Sequence, residues 1–390
     1  MSVVRNDYYN PLDIKTLENP YPIYDQLRTK RPVFFHEGMK SWVLSRYSDC
    51  KEVLANNDAY AMDLRRIGKD VPRVSQNLQS LDPPDNKGLR SLILQANSKK
   101  DKKKFESNTR EFIDKMFFEV RNADEFDFMR RISAPLSLRI TCELLGVPEP
   151  DLFSYLRISD DIAHQMDGGL NPDYLEPGNE ARKKLNIIVE QWFSSQSEDE
   201  GIIHYLRNNR EKANVPEHYV RNSAAVMFNA SFGTLYAALG NVIKAIIENP
   251  WILDELKGAN DKLYTSAANE LVRYDGPAQG TSRFAVEDTT INGVKVNRGD
   301  IVLTLLAAAN RDPEKFYKPH NIILDRQNNS HLGFGWGPHV CIGGRVGQIV
   351  IKELIKSLQE LPPIKITRTP ERRYTATVRC IDVLPLTLKA

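Results

Sequence analysis

Phe334-Gly335-Trp336-Gly337-Pro338-His339-Val340-Cys341-Ile342-Gly343 is the stretch on which the reading of this chain turns. It sets one cysteine in a run framed by glycines, and a helical pattern begins directly after it. A free cysteine ordinarily packs as a small hydrophobe. Here Gly335, Gly337 and Gly343 let the backbone turn tightly and approach a flat ligand that a Cβ would hold off. The helix that follows presents its positive end and free N–H groups to the sulfur, which predicts a lowered thiol pKa. Zinc is a poor fit, because neither a CxxC pair nor a closely spaced histidine pair accompanies Cys341. A dinucleotide loop fails too: Val340 stands where the third glycine belongs. The pattern predicts a thiolate held out for a metal.

The run resembles the haem-binding loop of the cytochrome P450 family, F-G-x-G-x-H-x-C-x-G, and matches every defining position. By that resemblance Cys341 is the axial ligand to the iron of haem b, Phe334 packs beside the sulfur, and His339 reaches a haem propionate. Thiolate ligation pushes electron density onto the iron and favours O–O cleavage. The implied fold is mainly α with small β-sheets (α+β), enclosing haem between a long central helix and the cysteine loop.

The rest of the chain is consistent with such a fold. Its 390 residues are 41% hydrophobic and 27% charged, the balance of an ordinary globular protein with a large core. A net charge of +2 argues against nucleic acid as a generic partner. Cys50, Cys142, Cys341 and Cys380 are too widely spaced for a disulfide framework. The polar, Tyr-rich opening Met1 to Asp13 carries no signal-peptide pattern, so a cytoplasmic enzyme without a membrane anchor is expected. No repeat or linker divides the sequence. Ser194 to Gly201 reads as a polar loop between helices, and residues 1–390 read as one domain.

Pro32-Val33-Phe34-Phe35 and Trp42-Val43-Leu44-Ser45, separated by Glu37-Gly38, predict a hairpin, and Tyr47 to Asn56 predicts a helix. From Asp101 to Glu248 apolar residues recur at three and four. The longest helix is expected between Val215-Pro216 and Asn249-Pro250, since proline suits both its start and its stop. Arg221, Asn222, Asn229 and Lys244 interrupt its apolar run, which argues against a membrane span. Thr265 to Asp275, closed by Gly276-Pro277, and Gly344 to Leu361 are two further helices, with short strands after Ile364.

The resemblance extends from about Asn19 to the C-terminal strands and carries further site residues. Glu270 and Arg273, three apart and so on one helix face, resemble with Arg326 the family's buried Glu-Arg-Arg network. Arg283 matches an arginine that pairs a haem propionate. Arg90, in Asp82-Pro83-Pro84-Asp85-Asn86-Lys87-Gly88-Leu89-Arg90, matches the second half of a His-x-x-x-Arg propionate clamp whose histidine is here Asn86. An amide still donates a hydrogen bond, but the charge is lost.

On the central helix the family usually carries an acid followed by threonine. Here Ala230-Ser231-Phe232-Gly233-Thr234 keeps the alcohol and replaces the acid with Gly233. Productive O–O cleavage needs two protons, so Thr234 is expected to organise water, with Asn229 one turn before Gly233 on the same face. Phe228, Ala230 and Phe232 are expected to line the substrate pocket. Lys99, Lys100, Lys102, Lys103 and Lys104, extended by Arg345, read as a docking patch for an acidic electron carrier.

The activity implied is monooxygenation of a small organic, natural-product-like substrate with O2. Electrons would come from NAD(P)H through a ferredoxin or flavodoxin with its reductase. Gly233 favours, as rivals, oxidative coupling, desaturation or a peroxide-driven reaction. A non-catalytic haem sensor or carrier is the rival from another class.

Overall fold

The computed structural model describes residues 8–195 and 201–389. Pro216 and Asn249-Pro250 bracket one helix, Glu217–Glu248, of 32 residues. At 1.5 Å per residue it runs about 48 Å. It is long and apolar enough to cross a membrane by composition, yet 67% of its apolar window is buried inside the protein. Asn241 explains why polar residues are tolerated there: it is buried and its amide donates to Arg379 O at 2.9 Å.

The two halves of this helix enter different apolar clusters. Phe228 and Phe232 pack with Leu89, Tyr155 and Trp192. Leu235, Leu239 and Ile243 pack instead with Phe117, Leu271, Val350 and Leu354. Helices Leu152–Gln165 and Leu175–Ser194 lie over the first half. Helices Asp261–Asp275 and Gly344–Leu358 hold the second. The changeover between the clusters falls after Phe232 and before Leu235, at Gly233 and Thr234.

The expected hairpin forms, as Val33–His36 and Ser41–Leu44, with Val33 opposite Leu44. Its second strand runs parallel to Ile301–Thr304, which pairs antiparallel with Thr281–Ala285, and Tyr60–Ala61 closes the sheet. Thr281–Ala285 positions Arg283 on its buried face, together with Ala285, while Ser282 points outward. The helix expected from Thr265 starts earlier, at Asp261, because the side chain of Asn260 accepts the Leu263 N–H at 3.0 Å and caps it. The final helix ends at Leu358, three residues short of the expected Leu361. Short strands follow, of which Pro385–Thr387 lies between Phe126–Asp127 and Lys365–Ile366. Residues 196–200 of the expected polar loop and residues 1–7 of the polar opening lie outside the described residues.

Candidate active site

The cysteine loop is shaped by its own backbone. Cys341 N–H donates to Phe334 O at 2.8 Å, and Gly335 N–H to Leu332 O at 2.8 Å. Gly335 and Gly337 both have φ near +70°, a region that favours glycine. At Gly337 a Cβ would also stand 2.4 Å from Leu54 O, so the loop can lie against helix Tyr47–Ala55 only with glycine there. Gly344, opening the next helix, faces the ring of Phe334, which would lie 3.3 Å from any Cβ at that position.

Cys341 is exposed, while Cys50, Cys142 and Cys380 are buried. Enough protein surrounds its thiol that burial is still the largest influence, pushing the pKa up. Backbone N–H groups of Gly343 and Gly344 and the charge of Arg90 pull it down without winning. The lowered thiol pKa expected from the sequence is therefore corrected: the helix start acts in the expected direction, but desolvation outweighs it. A coordinating metal ion reverses that balance, because it deprotonates the thiol outright. Cys341 is thus an exposed residue whose sulfur is ringed by protein, with the N–H groups of Gly343 and Gly344 on it and the charge of Arg90 nearby. That donor set and glycine frame fit a flat metal-bearing group.

Arg90, on helix Lys87–Ser98, donates from Nη2 to Val340 O at 2.6 Å and so sits against the loop. Arg283 is buried, and burial lowers its pKa to about 10. Its only hydrogen bonds among the described residues go from Nη1 to Ser282 O at 2.8 Å and Thr281 Oγ1 at 3.4 Å. A buried guanidinium with no carboxylate in bonding range is the counterpart an anionic group such as a propionate requires. His339 places Nε2 2.8 Å from Asp82 Oδ1. Asn86 is buried, and its amide is committed to Leu81 O at 3.3 Å. The structure thus brings Arg90 to the cysteine loop and His339 to Asp82. It turns the Asn86 amide into local backbone bonding.

Asp82 is the group the sequence reading missed. Burial alone would raise its pKa, yet hydrogen bonds from His339 and from the N–H groups of Asp63 and Met62 hold it below the ordinary value. The only signal in the sequence was its place at the head of the Asp-Pro-Pro-Asp run.

On the central helix Ala230 and Thr234, one turn apart, are both exposed, whereas Phe228, Phe232 and Leu235 are buried. Thr234 Oγ1 donates back to Ala230 O at 2.6 Å. Ile342, inside the cysteine loop, and Val346, in the helix after it, pack against the cluster that holds Phe228 and Phe232. The open strip of the helix therefore lies beside the same packing unit as the loop.

The two phenylalanines require a correction. Phe228 and Phe232 are completely buried, their rings 4.8 and 5.0 Å from that of Tyr155, with Trp192 at 4.7 Å from Phe228. Alternate positions of a helix cannot share a face, so the phenylalanines fill the core while Ala230 and Thr234 open away from it. Asn229 is half-buried, and its Oδ1 accepts the Tyr155 hydroxyl at 3.2 Å. A Cβ on Gly233 would stand 3.2 Å from Ser159 Oγ, so helix Leu152–Gln165 crowds the place an acid would occupy.

Glu270, Arg273 and Arg326 meet in the core. Glu270 and Arg273 are essentially inaccessible and Arg326 nearly so. Arg273 donates to Glu270 from Nε at 2.7 Å and from Nη2 at 2.8 Å, and Arg326 Nε reaches both carboxylate oxygens at 3.0 Å. Both guanidiniums also donate to Asn321 O at 3.0 Å, which ties the segment before the cysteine loop to helix Asp261–Asp275.

A family model described as Cytochrome P450 matches residues 178–358. The putative cytochrome P450 YjiB of Bacillus subtilis is 26% identical over 361 residues, covering 90% of each chain. The polyketide biosynthesis cytochrome P450 PksS of the same organism is 23% identical over 397 residues, covering 95% of this chain and 96% of that one. CYP109E1 from Bacillus megaterium, solved in complex with testosterone, superposes with a TM-score of 0.87 at 24% identity, covering 96% and 99% of the two chains. Over residues 178–358, the cysteine loop included, the chain matches the cytochrome P450 family. This P450 is an oxidoreductase of the monooxygenase family, its fold is the P450 fold, and its cofactor is haem b.

Proposed function

We propose that this P450 oxygenates a small organic substrate of a biosynthetic pathway, with Cys341 as the iron ligand and Arg90, Arg283 and His339 holding the propionates. The observation that carries the reading is exposed Cys341, the N–H groups of Gly343 and Gly344 set on its sulfur. Haem with a thiolate ligand supplies O2 activation. Phe334, packed against Gly344, keeps the helix start close to the sulfur. A biosynthetic role is supported by the likeness to a polyketide biosynthesis P450. Substrate-dependent NAD(P)H consumption with a ferredoxin and its reductase tests the reading; NAD(P)H oxidation indifferent to every substrate offered would count against it.

Thr234 is the hydroxyl that manages protons on the open strip of the central helix. In Thr234→Ala, product per NAD(P)H is expected to fall, on the order of tenfold, with the balance released as hydrogen peroxide. Unchanged coupling would remove Thr234 from proton delivery. One observation favours a second reading. Gly233 leaves no acid beside Thr234, and Ser159 crowds that position, which suits a peroxide-driven or coupling reaction with lighter proton demands. Turnover with peroxide alone, at rates matching the NAD(P)H system, would select that branch.

Electrons arrive from an acidic ferredoxin-type carrier at the lysine patch. Lys99, Lys102, Lys103 and Lys104 are exposed, whereas Lys100 is turned inward and donates to Glu143 O at 2.6 Å. Helix Lys102–Val120 is tied by Glu106 to Lys352 at 2.9 Å, on the helix that begins beside Cys341 and carries exposed Arg345. Replacing Lys102, Lys103 and Lys104 by glutamine is expected to slow reduction and flatten its dependence on ionic strength. Stopped-flow reduction at several salt concentrations measures both, and an unaltered salt slope would rule the patch out.

A further inference from the structure

Asp82 is 3% exposed and is gripped from several sides. Its Oδ1 lies 2.8 Å from His339 Nε2, its oxygens accept the Met62 N–H at 3.2 Å and the Asp63 N–H at 3.1 Å, and Arg66 Nη1 stands 3.3 Å away. Arg283, buried nearby, feels the same carboxylate through space. The two backbone N–H groups fix the carboxylate to the chain, so the imidazole must follow the carboxylate rather than the reverse. A carboxylate only accepts, which assigns the Nε2 hydrogen to this contact and fixes the plane and direction of the ring.

The neighbouring Asn86 makes this arrangement matter. Its amide is neutral and already donates to Leu81 O at 3.3 Å. His339 is then the imidazole on which this end of the site depends.

We propose that Asp82 is a positioning residue for the haem site: it orients the ring of His339 and sets a fixed negative charge between Arg66 and Arg283. The inference rests on the reading of the cysteine loop given above. Two consequences follow. A partner that orients a metal-ligating ring is typically worth 10–100-fold in affinity, and the same kind of support acts here on a ring that reaches a propionate. A buried negative charge in a medium of low dielectric also resists the arrival of an electron nearby, and a buried positive charge favours it.

The test uses the purified holoprotein and compares wild type, Asp82→Asn and Arg66→Gln. Two quantities are read: the rate of haem transfer to excess apomyoglobin, and the ferric/ferrous reduction potential. Asp82→Asn is expected to lose haem roughly tenfold faster and to show a more positive potential. Arg66→Gln, which removes the opposite charge without touching His339, is expected to shift the potential to a more negative value. Faster haem loss in Asp82→Asn with an unmoved potential would make Asp82 a packing residue and overturn the inference, as would shifts of the same sign in both variants. A wild type without thiolate-ligated haem overturns the cysteine-loop reading as well, whereas a sound wild type with an unaffected Asp82→Asn overturns this inference alone.

Discussion

Glu270→Ala lowers the stability of the folded protein by about 3–5 kcal/mol, the usual consequence of stranding buried charge. The carboxylate of Glu270 is the common acceptor for Arg273, Arg326, the Ile323 N–H at 2.9 Å and the Asn329 amide at 3.1 Å. Removing it leaves two buried guanidiniums facing each other without a counter-ion. Their carbonyl partners satisfy donors but cannot neutralise charge. Since a folded domain is typically stable by only about 5–15 kcal/mol, the variant is expected to accumulate poorly and to bind little haem. Urea unfolding monitored by circular dichroism, with haem content measured beside it, gives the answer. A variant with the wild-type midpoint and full haem loading would show that the network is not what holds the segment leading to Cys341.

Acid destabilises the same region through His331. Burial, aided by the charge of Arg273, lowers the pKa of His331 to about 3. The geometry explains why the neutral ring is preferred. Its Nε2 lies 2.8 Å from Asn269 Oδ1 and its Nδ1 accepts the Gly333 N–H at 3.0 Å, so a second ring proton would confront a donor. The folded-state pKa is depressed below the ordinary histidine value of about 6.5. The stability tied to the neutral ring is therefore complete above about pH 6.5 and is lost as pH falls from there toward 3, at roughly 1.4 kcal/mol per unit. Wild type is expected to lose on the order of 2 kcal/mol between pH 7.5 and pH 5 from this group alone. His331→Gln is expected to be weaker at neutral pH but to lack that component. Urea midpoints at both pH values check this, and identical pH dependence in the two proteins would exclude His331 as the source.

The elements legible in the sequence were those with local signals. Pro216 and Asn249-Pro250 marked the ends of the central helix, observed as Glu217–Glu248. Thr281–Ala285 and Ile301–Thr304 escaped the reading because their partners lie far along the chain; Ile301–Thr304 pairs with Ser41–Leu44. A hairpin between them had a signal that went unused: Asn292-Gly293, both at positive φ, joins Thr289–Ile291 to Val294–Val296. At the site, the residues around Cys341 were legible because glycine spacing reports backbone shape. Asp82 was not, since nothing local tells a buried carboxylate from a solvated one. Phe228 and Phe232 were misplaced because hydrophobicity alone does not say which face of a helix opens inward. Only the packing of Tyr155 and Trp192 decides it.

The most direct test of the account is the optical spectrum of the reduced, carbon monoxide-treated protein, recorded for wild type and for Cys341→Ser. Wild type is predicted to give the long-wavelength Soret band of thiolate-ligated haem, and the variant to lose that band. A wild-type band at the position of a histidine-ligated haem, or an unchanged spectrum in Cys341→Ser, would contradict the assignment of Cys341 as the iron ligand.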